Sequence, residues 1–176
     1  MKKSMFKKVA AVLAAILLLA SLTGCLDSAP GKETNGTPQG STGKEEQTFA
    51  LNETAVFDTL KITATEIKES KGDTFFSPEA GKVFLGVKFT IENISDTDQT
   101  VSSLLLFDAY ADDVACSLSF TAGAAFGSET VDGTIAAGKK LVGWYSIEVP
   151  KEWKTVELQV KANWLSNASA KFIFTK

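Results

Sequence analysis

The chain has 176 residues, 44% of them apolar and 22% charged, which leaves room for one folded core and a short appendage and does not suit a wholly disordered polymer. It has no histidine, and all eighteen of its basic residues are lysine. The usual general base, the commonest zinc ligand and the guanidinium fork that grips phosphate are therefore missing, which argues against most hydrolase, metalloenzyme and nucleic-acid-binding functions.

Lys2, Lys3, Lys7 and Lys8 precede an unbroken apolar run over 9–20, the pattern of a secretion signal too short to serve as a mature membrane span. The run leads into Leu22-Thr23-Gly24-Cys25, which resembles the lipobox of bacterial lipoproteins. The alternative is a chance cysteine behind an ordinary signal peptide. The resemblance implies cleavage between Gly24 and Cys25, a diacylglyceryl group on the Cys25 thiol as the one covalent addition, and a place on the extracytoplasmic face of the cell membrane. Two acyl chains on one glycerol hold stably where a single chain binds marginally. Losing 1–24 removes four lysines and no acid, so the formal charge moves from −3 to −7. Residues 25–47 then read as a flexible linker, rich in Gly, Pro, Ser, Thr and charge, with a random-coil span of roughly 25 Å.

From residue 48 onward apolar residues alternate. Phe49 with Leu51, Ala55 with Phe57, and Leu60, Ile62 and Ala64 form opening strands, and a phase shift at Ile67 predicts a bulge or strand end. Residues 68–81 form a polar loop apart from Phe75 and Phe76. The clearest strand lies within 81–98, where Val83, Leu85, Val87, Phe89 and Ile91 share one face. Residues 100–110, apolar on both faces around Leu104, Leu105 and Leu106, predict a central strand, and 114–120 another after the Asp112-Asp113 break. Residues 121–140 read as loop with a short strand near 128–135; strands follow over 141–149 and around Val156–Ala162 and Phe172–Phe174. With no amphipathic helix in any window, seven to nine short strands predict an all-β sandwich of immunoglobulin size spanning 48–176.

Glu92-Asn93, Leu106-Phe107-Asp108, and Ile135-Ala136-Ala137-Gly138-Lys139-Lys140 running on to Gly143-Trp144-Tyr145-Ser146-Ile147-Glu148-Val149-Pro150 resemble the telokin-like, DUF4352-type domain of unknown function found in lipoproteins of Gram-positive bacteria. The resemblance implies an immunoglobulin-like β-sandwich, a fold shared with a secreted mycobacterial antigen, and no catalytic residues.

Candidate site residues are few. Cys116 lacks an activating base and reads as a small core residue, with no partner for an internal disulfide once Cys25 is lipidated. Asp96 with Asp98, and Asp112 with Asp113, share turns that suit a calcium ion weakly, since aspartate is also an ordinary turn former. Phe84 and Trp144 lie out of phase with the inward residues of their strands, and Phe75, Phe76 and Phe126 fall in loops. Together they predict a recognition surface, unless loops fold over them as secondary core. The leading expectation is a non-enzymatic, membrane-anchored module that recognises a protein or cell-envelope component, with 68–81 and 121–140 as its tip. The alternative is a lipoprotein binding a small ligand or calcium.

Overall fold

The computed structural model describes residues 31–32, 47–165 and 168–176; the signal sequence, Gly24 and Cys25 lie outside them. Two five-stranded sheets pack face to face. The first runs β1 (Gly31–Lys32), β3 (Thr54–Val56), β4 (Leu60–Ser70), β5 (Lys82–Asn93) and β10 (Lys140–Pro150). The second runs β2 (Thr48–Phe49), β12 (Ser169–Thr175), β11 (Thr155–Lys161), β7 (Phe107–Ala111) and β8 (Val114–Cys116). All pairings are antiparallel except β2 on β12. A short ribbon of β6 (Gln99–Val101) and β9 (Gly133–Ile135) closes one end.

The core follows from period-two alternation. Leu85, Val87, Phe89 and Ile91 of β5 meet Leu158, Phe172 and Phe107 of the opposite sheet. Aromatic rings run through its centre: Phe49 on Phe172 at 5.4 Å, Phe172 edge-on to Phe89 at 5.4 Å, Phe89 edge-on to Phe107 at 5.4 Å, and Phe107 stacked on Tyr145 at 4.9 Å. Burial, with the charge of Asp108 nearby, pushes the Tyr145 hydroxyl up to about 12, so it stays neutral. The expected phase shift is a bulge between Ala64 and Glu66.

Three expectations require correction. The spacer 25–47 includes a strand residue pair, β1, which runs antiparallel to β3 with Gly31 opposite Val56. The predicted central strand over 100–110 is interrupted by a single helical turn, α1 (Ser103–Leu106). Asp132 captures the Ser103 amide at 2.7 Å and its hydroxyl at 2.9 Å, which turns the backbone. Leu106 alone of the three leucines points inward, while Leu104 and Leu105 are exposed. Likewise 114–120 pairs as a strand only to Cys116, and Ser119 then caps a second short helix, α2 (Phe120–Ala124), its hydroxyl accepting the Ala122 amide at 3.1 Å.

Candidate functional site

β8 and β10 are the last strands of their sheets on one side of the sandwich, and the chain crosses between them there. Leu118 bridges to Ile147, and the Ser119 amide donates to the Ser146 carbonyl at 2.8 Å. Beyond α2 the chain returns along β10, where the Trp144 amide donates to the Glu129 carbonyl at 2.9 Å. These contacts satisfy an edge that would otherwise be open for pairing.

The crossing leaves a furrow on each side. On one side a cleft of about 650 Å³ lies between Glu79, Lys82, Val114, Cys116, Phe120 and Glu148. On the other a cleft of about 460 Å³ lies between Ser103, Leu118, Gly123, Asp132, Trp144 and Ser146. Phe120 and Leu118 line both, and Phe120 and Val114 are 75% and 68% exposed on the rim. Ser146 is buried, and its hydroxyl has no hydrogen-bond partner among the described residues. Lys82 meets Glu79 at 2.7 Å, a contact that lowers the Glu79 carboxyl and raises the Lys82 ammonium, while the Glu148 carboxylate accepts the Glu79 amide at 3.3 Å. The furrow thus joins apolar rims to a few polar groups, the composition of a binding surface.

Three of the five aromatics expected at a surface are instead partly or wholly covered. Phe84 is fully buried and Trp144 is 7% exposed, because α2 and residues 125–131 roof the outer face of β5 and β10. The roof fits because two glycines make room. A Cβ on Gly86 would lie 2.7 Å from the half-buried Phe126 ring, which stacks on Trp144 at 5.4 Å. Lys68 and Lys88 approach the Trp144 ring at 5.6 and 5.5 Å. A Cβ on Gly143 would lie 2.1 Å from the Thr130 carbonyl oxygen, a backbone atom that cannot swing aside. Gly143→Ala is expected to lift this strap and cost about 1–3 kcal/mol, the range for overpacking. Urea unfolding checks the cost, and hydrogen exchange at Trp144 checks that the strap is what moved.

Phe75 and Phe76 are exposed, as expected, at 87% and 44%. They project from an ordered turn in which the Asp73 carboxylate accepts both their amides at 2.8 Å; those bonds hold the carboxyl below its ordinary range. They sit at the far end of β4 and β5 from α1 and take no part in the roof.

Cys116 is half-buried on the edge strand, lines the furrow and packs against the core from outside it, which corrects its reading as a core residue. Burial pushes its thiol up. Iodoacetamide should therefore alkylate Cys116 in the folded protein more slowly than a free cysteine at pH 8, and at the ordinary rate in denaturant; equal rates in both would contradict the burial effect.

The aspartates proposed for calcium do not gather. Asp112 and Asp113 occupy left-handed backbone positions, φ 47° and 65°, and the Asp112 carboxylate accepts the amides of Lys154 at 3.0 Å and Thr155 at 2.9 Å. The turn carrying Asp96 and Asp98 is held by Asn93, Ser95 and Thr97. Among the described residues no three His, Cys, Asp or Glu side chains are placed to hold a metal ion.

Sequence reasoning missed the furrow because it depends on where 117–120 crosses between sheets. Ser119 ahead of Phe120-Thr121-Ala122 was the available signal, a helix cap at the start of a small-residue stretch.

A family model described as a domain of unknown function (DUF4352) matches residues 49–171. No curated protein matches the sequence. Among solved structures, a Bacillus subtilis protein described as a "putative lipoprotein" (ycdA) superimposes with a TM-score of 0.56 at 17% identity, covering 67% of this chain and 37% of that one. This chain thus spans little more than a third of that protein. An uncharacterised β-sandwich protein of Clostridium difficile gives 0.51 at 17% identity, covering 79% of this chain and all of its own. MPT63, a secreted protein of Mycobacterium tuberculosis, gives 0.50 at 13% identity, covering 76% of this chain and all of its own. At these identities the likeness is one of fold.

Proposed function

We propose that this chain, which belongs to the DUF4352 family, is a lipid-anchored extracytoplasmic module that binds a protein or cell-envelope component and catalyses no reaction. The basic and apolar N-terminal segment with Cys25 behind it supports the anchor, and the secreted and lipoprotein descriptions of fold relatives agree with an extracytoplasmic place. The observation that carries the binding role is the furrow, with Phe120 and Val114 held exposed beside a 650 Å³ cleft. Exposed aromatic anchors next to a concavity are the usual source of interface energy. No cofactor beyond the diacylglyceryl group enters this reading.

A photo-crosslinking residue placed at Phe120 in the full chain on cells tests it. Capture of a discrete envelope component is expected, reduced at least tenfold by Val114→Glu. Equal capture from a position on the opposite side of the sandwich, at β3, would refute the furrow. A second reading, a small ligand in the 460 Å³ cleft, is favoured by the unpartnered Ser146 hydroxyl. A ligand at a hundred times its Kd should raise stability by about 2.7 kcal/mol, and Ser146→Ala should weaken that response.

A further inference from the structure

Four large apolar side chains lie exposed at one end of the second sheet: Leu104 at 67%, Leu105 at 61%, Trp164 at 70% and Leu165 at 73%. The register places them together. β7 begins at Phe107 opposite Val160, so α1, just before it, and the residues just after Lys161 leave neighbouring strands at the same end. Neighbouring strands are about 4.8 Å apart. The stretches 103–106 and 162–165 carry no charged residue.

The anchor side of the chain reaches the fold at this same end. Thr48 pairs with Lys171 near the start of β12, which also lies here, and the Lys171 amide donates to the Gln47 carbonyl. In the other sheet, Asn93 and Leu60 mark the corresponding end, since Asn93 donates to the Ile135 carbonyl and Ile135 pairs with β6, which runs into α1. β3 runs toward that end and β1 runs away from it, so the chain ahead of Gly31 comes from the α1 side. Cys25 lies six residues before Gly31, a reach of at most about 21 Å fully extended.

We infer that this end docks on the lipid surface itself, with Leu104, Leu105 and Leu165 entering the headgroup boundary and Trp164 seated at it. The inference rests on the anchor reading above. Exposed apolar residues on a short tether meet the bilayer at high effective concentration, and tryptophan favours the interface between headgroup and acyl chain. The acidic charge of the rest of the domain favours neutral lipid over anionic lipid for this contact.

Trp164 reports on the contact directly, because Trp144 and Trp153 are buried at 7% and 5% exposure. The full lipidated chain is placed in phosphatidylcholine vesicles with and without brominated acyl chains. The expected result is that the Trp164 contribution, read as the difference from Trp164→Phe, is blue-shifted and strongly quenched by bromine, with the quenching lost in Trp164→Phe and reduced several-fold in Leu104→Ser/Leu105→Ser, which keeps its anchor. Added phosphatidylglycerol should weaken the quenching at low salt. A lipidated chain whose Trp164 stays solvent-like overturns the docking alone. A chain that mass spectrometry shows without lipid on Cys25, and that washes off membranes as Cys25→Ala does, overturns the anchor and the docking with it.

Discussion

Phe89→Ala should destabilise the domain by about 3–5 kcal/mol, the range for emptying a buried phenylalanine site. Phe89 is fully buried on the strand that both β4 and β10 pair with, and its ring makes the central link of the aromatic chain, edge-on to Phe107 and Phe172. Removing it leaves a cavity and breaks two ring contacts together. Small domains are stable by about 5–15 kcal/mol, so the variant should approach its unfolding midpoint at ordinary temperature. Phe89→Leu, which refills much of the space, should recover more than half of the loss. Urea unfolding of both variants decides the matter; a loss under about 1 kcal/mol for Phe89→Ala would mean the core closes over the gap.

The second large effect is expected from Asn93→Asp, which changes almost no volume. Asn93 is buried, and its side-chain amide donates to the carbonyls of Thr97 at 2.7 Å and Ile135 at 2.8 Å. Its carbonyl oxygen accepts the amide of Ser95 at 3.0 Å and its hydroxyl at 2.7 Å. An aspartate would keep the second pair and turn a bare oxygen toward two carbonyl oxygens. Each stranded acceptor costs about 1–3 kcal/mol, so a total of about 2–5 kcal/mol follows. The new carboxyl, buried and facing oxygens, would titrate above its unfolded value of about 3.9 in the folded protein. Protonated, it can donate one bond back. The deficit relative to the wild type should therefore be least below about pH 4, grow as pH rises, and level off above the raised folded value. Denaturant titrations at several pH values test this; a deficit independent of pH would show that the carboxyl ionises freely and that the site is wetter than its burial implies.

The sandwich was legible because a half-buried strand repeats every two residues, and Val83, Leu85, Val87, Phe89 and Ile91 follow that rule, with Phe84 the one large apolar residue out of phase. The outward aromatics were legible only as a choice. Phase placed Phe84 and Trp144 on the outer face, which is where they are, but whether water or chain covers that face depends on Gly86 and Gly143, whose missing side chains admit Phe126 and the Thr130 backbone. Leu104 and Leu105 misled for the opposite reason. Three leucines in a row resemble an interior strand, and the turn that exposes two of them is set by Asp132, some thirty residues away. Local pattern carries local geometry well. It does not carry contacts made by distant loops, and both clefts are built from those.

The parallel seat of β2 on β12 also bears on how the protein is made. β2, the first strand of the second sheet in chain order, pairs with β12, and its Phe49, in the core, lies on Phe172. Contacts that distant in sequence are formed late and slowly, with folding in the millisecond-to-second range for sheet proteins of this kind. A chain emerging N-terminus first cannot complete either the sheet or the aromatic core until its final strand is free. Until then its apolar strands are open to mispairing with one another and with their neighbours. Shortening the chain by β12 should not yield a smaller domain; it should yield none, and the full-length protein should depend on whatever shelters unfolded chains between their release and the closing of that last strand.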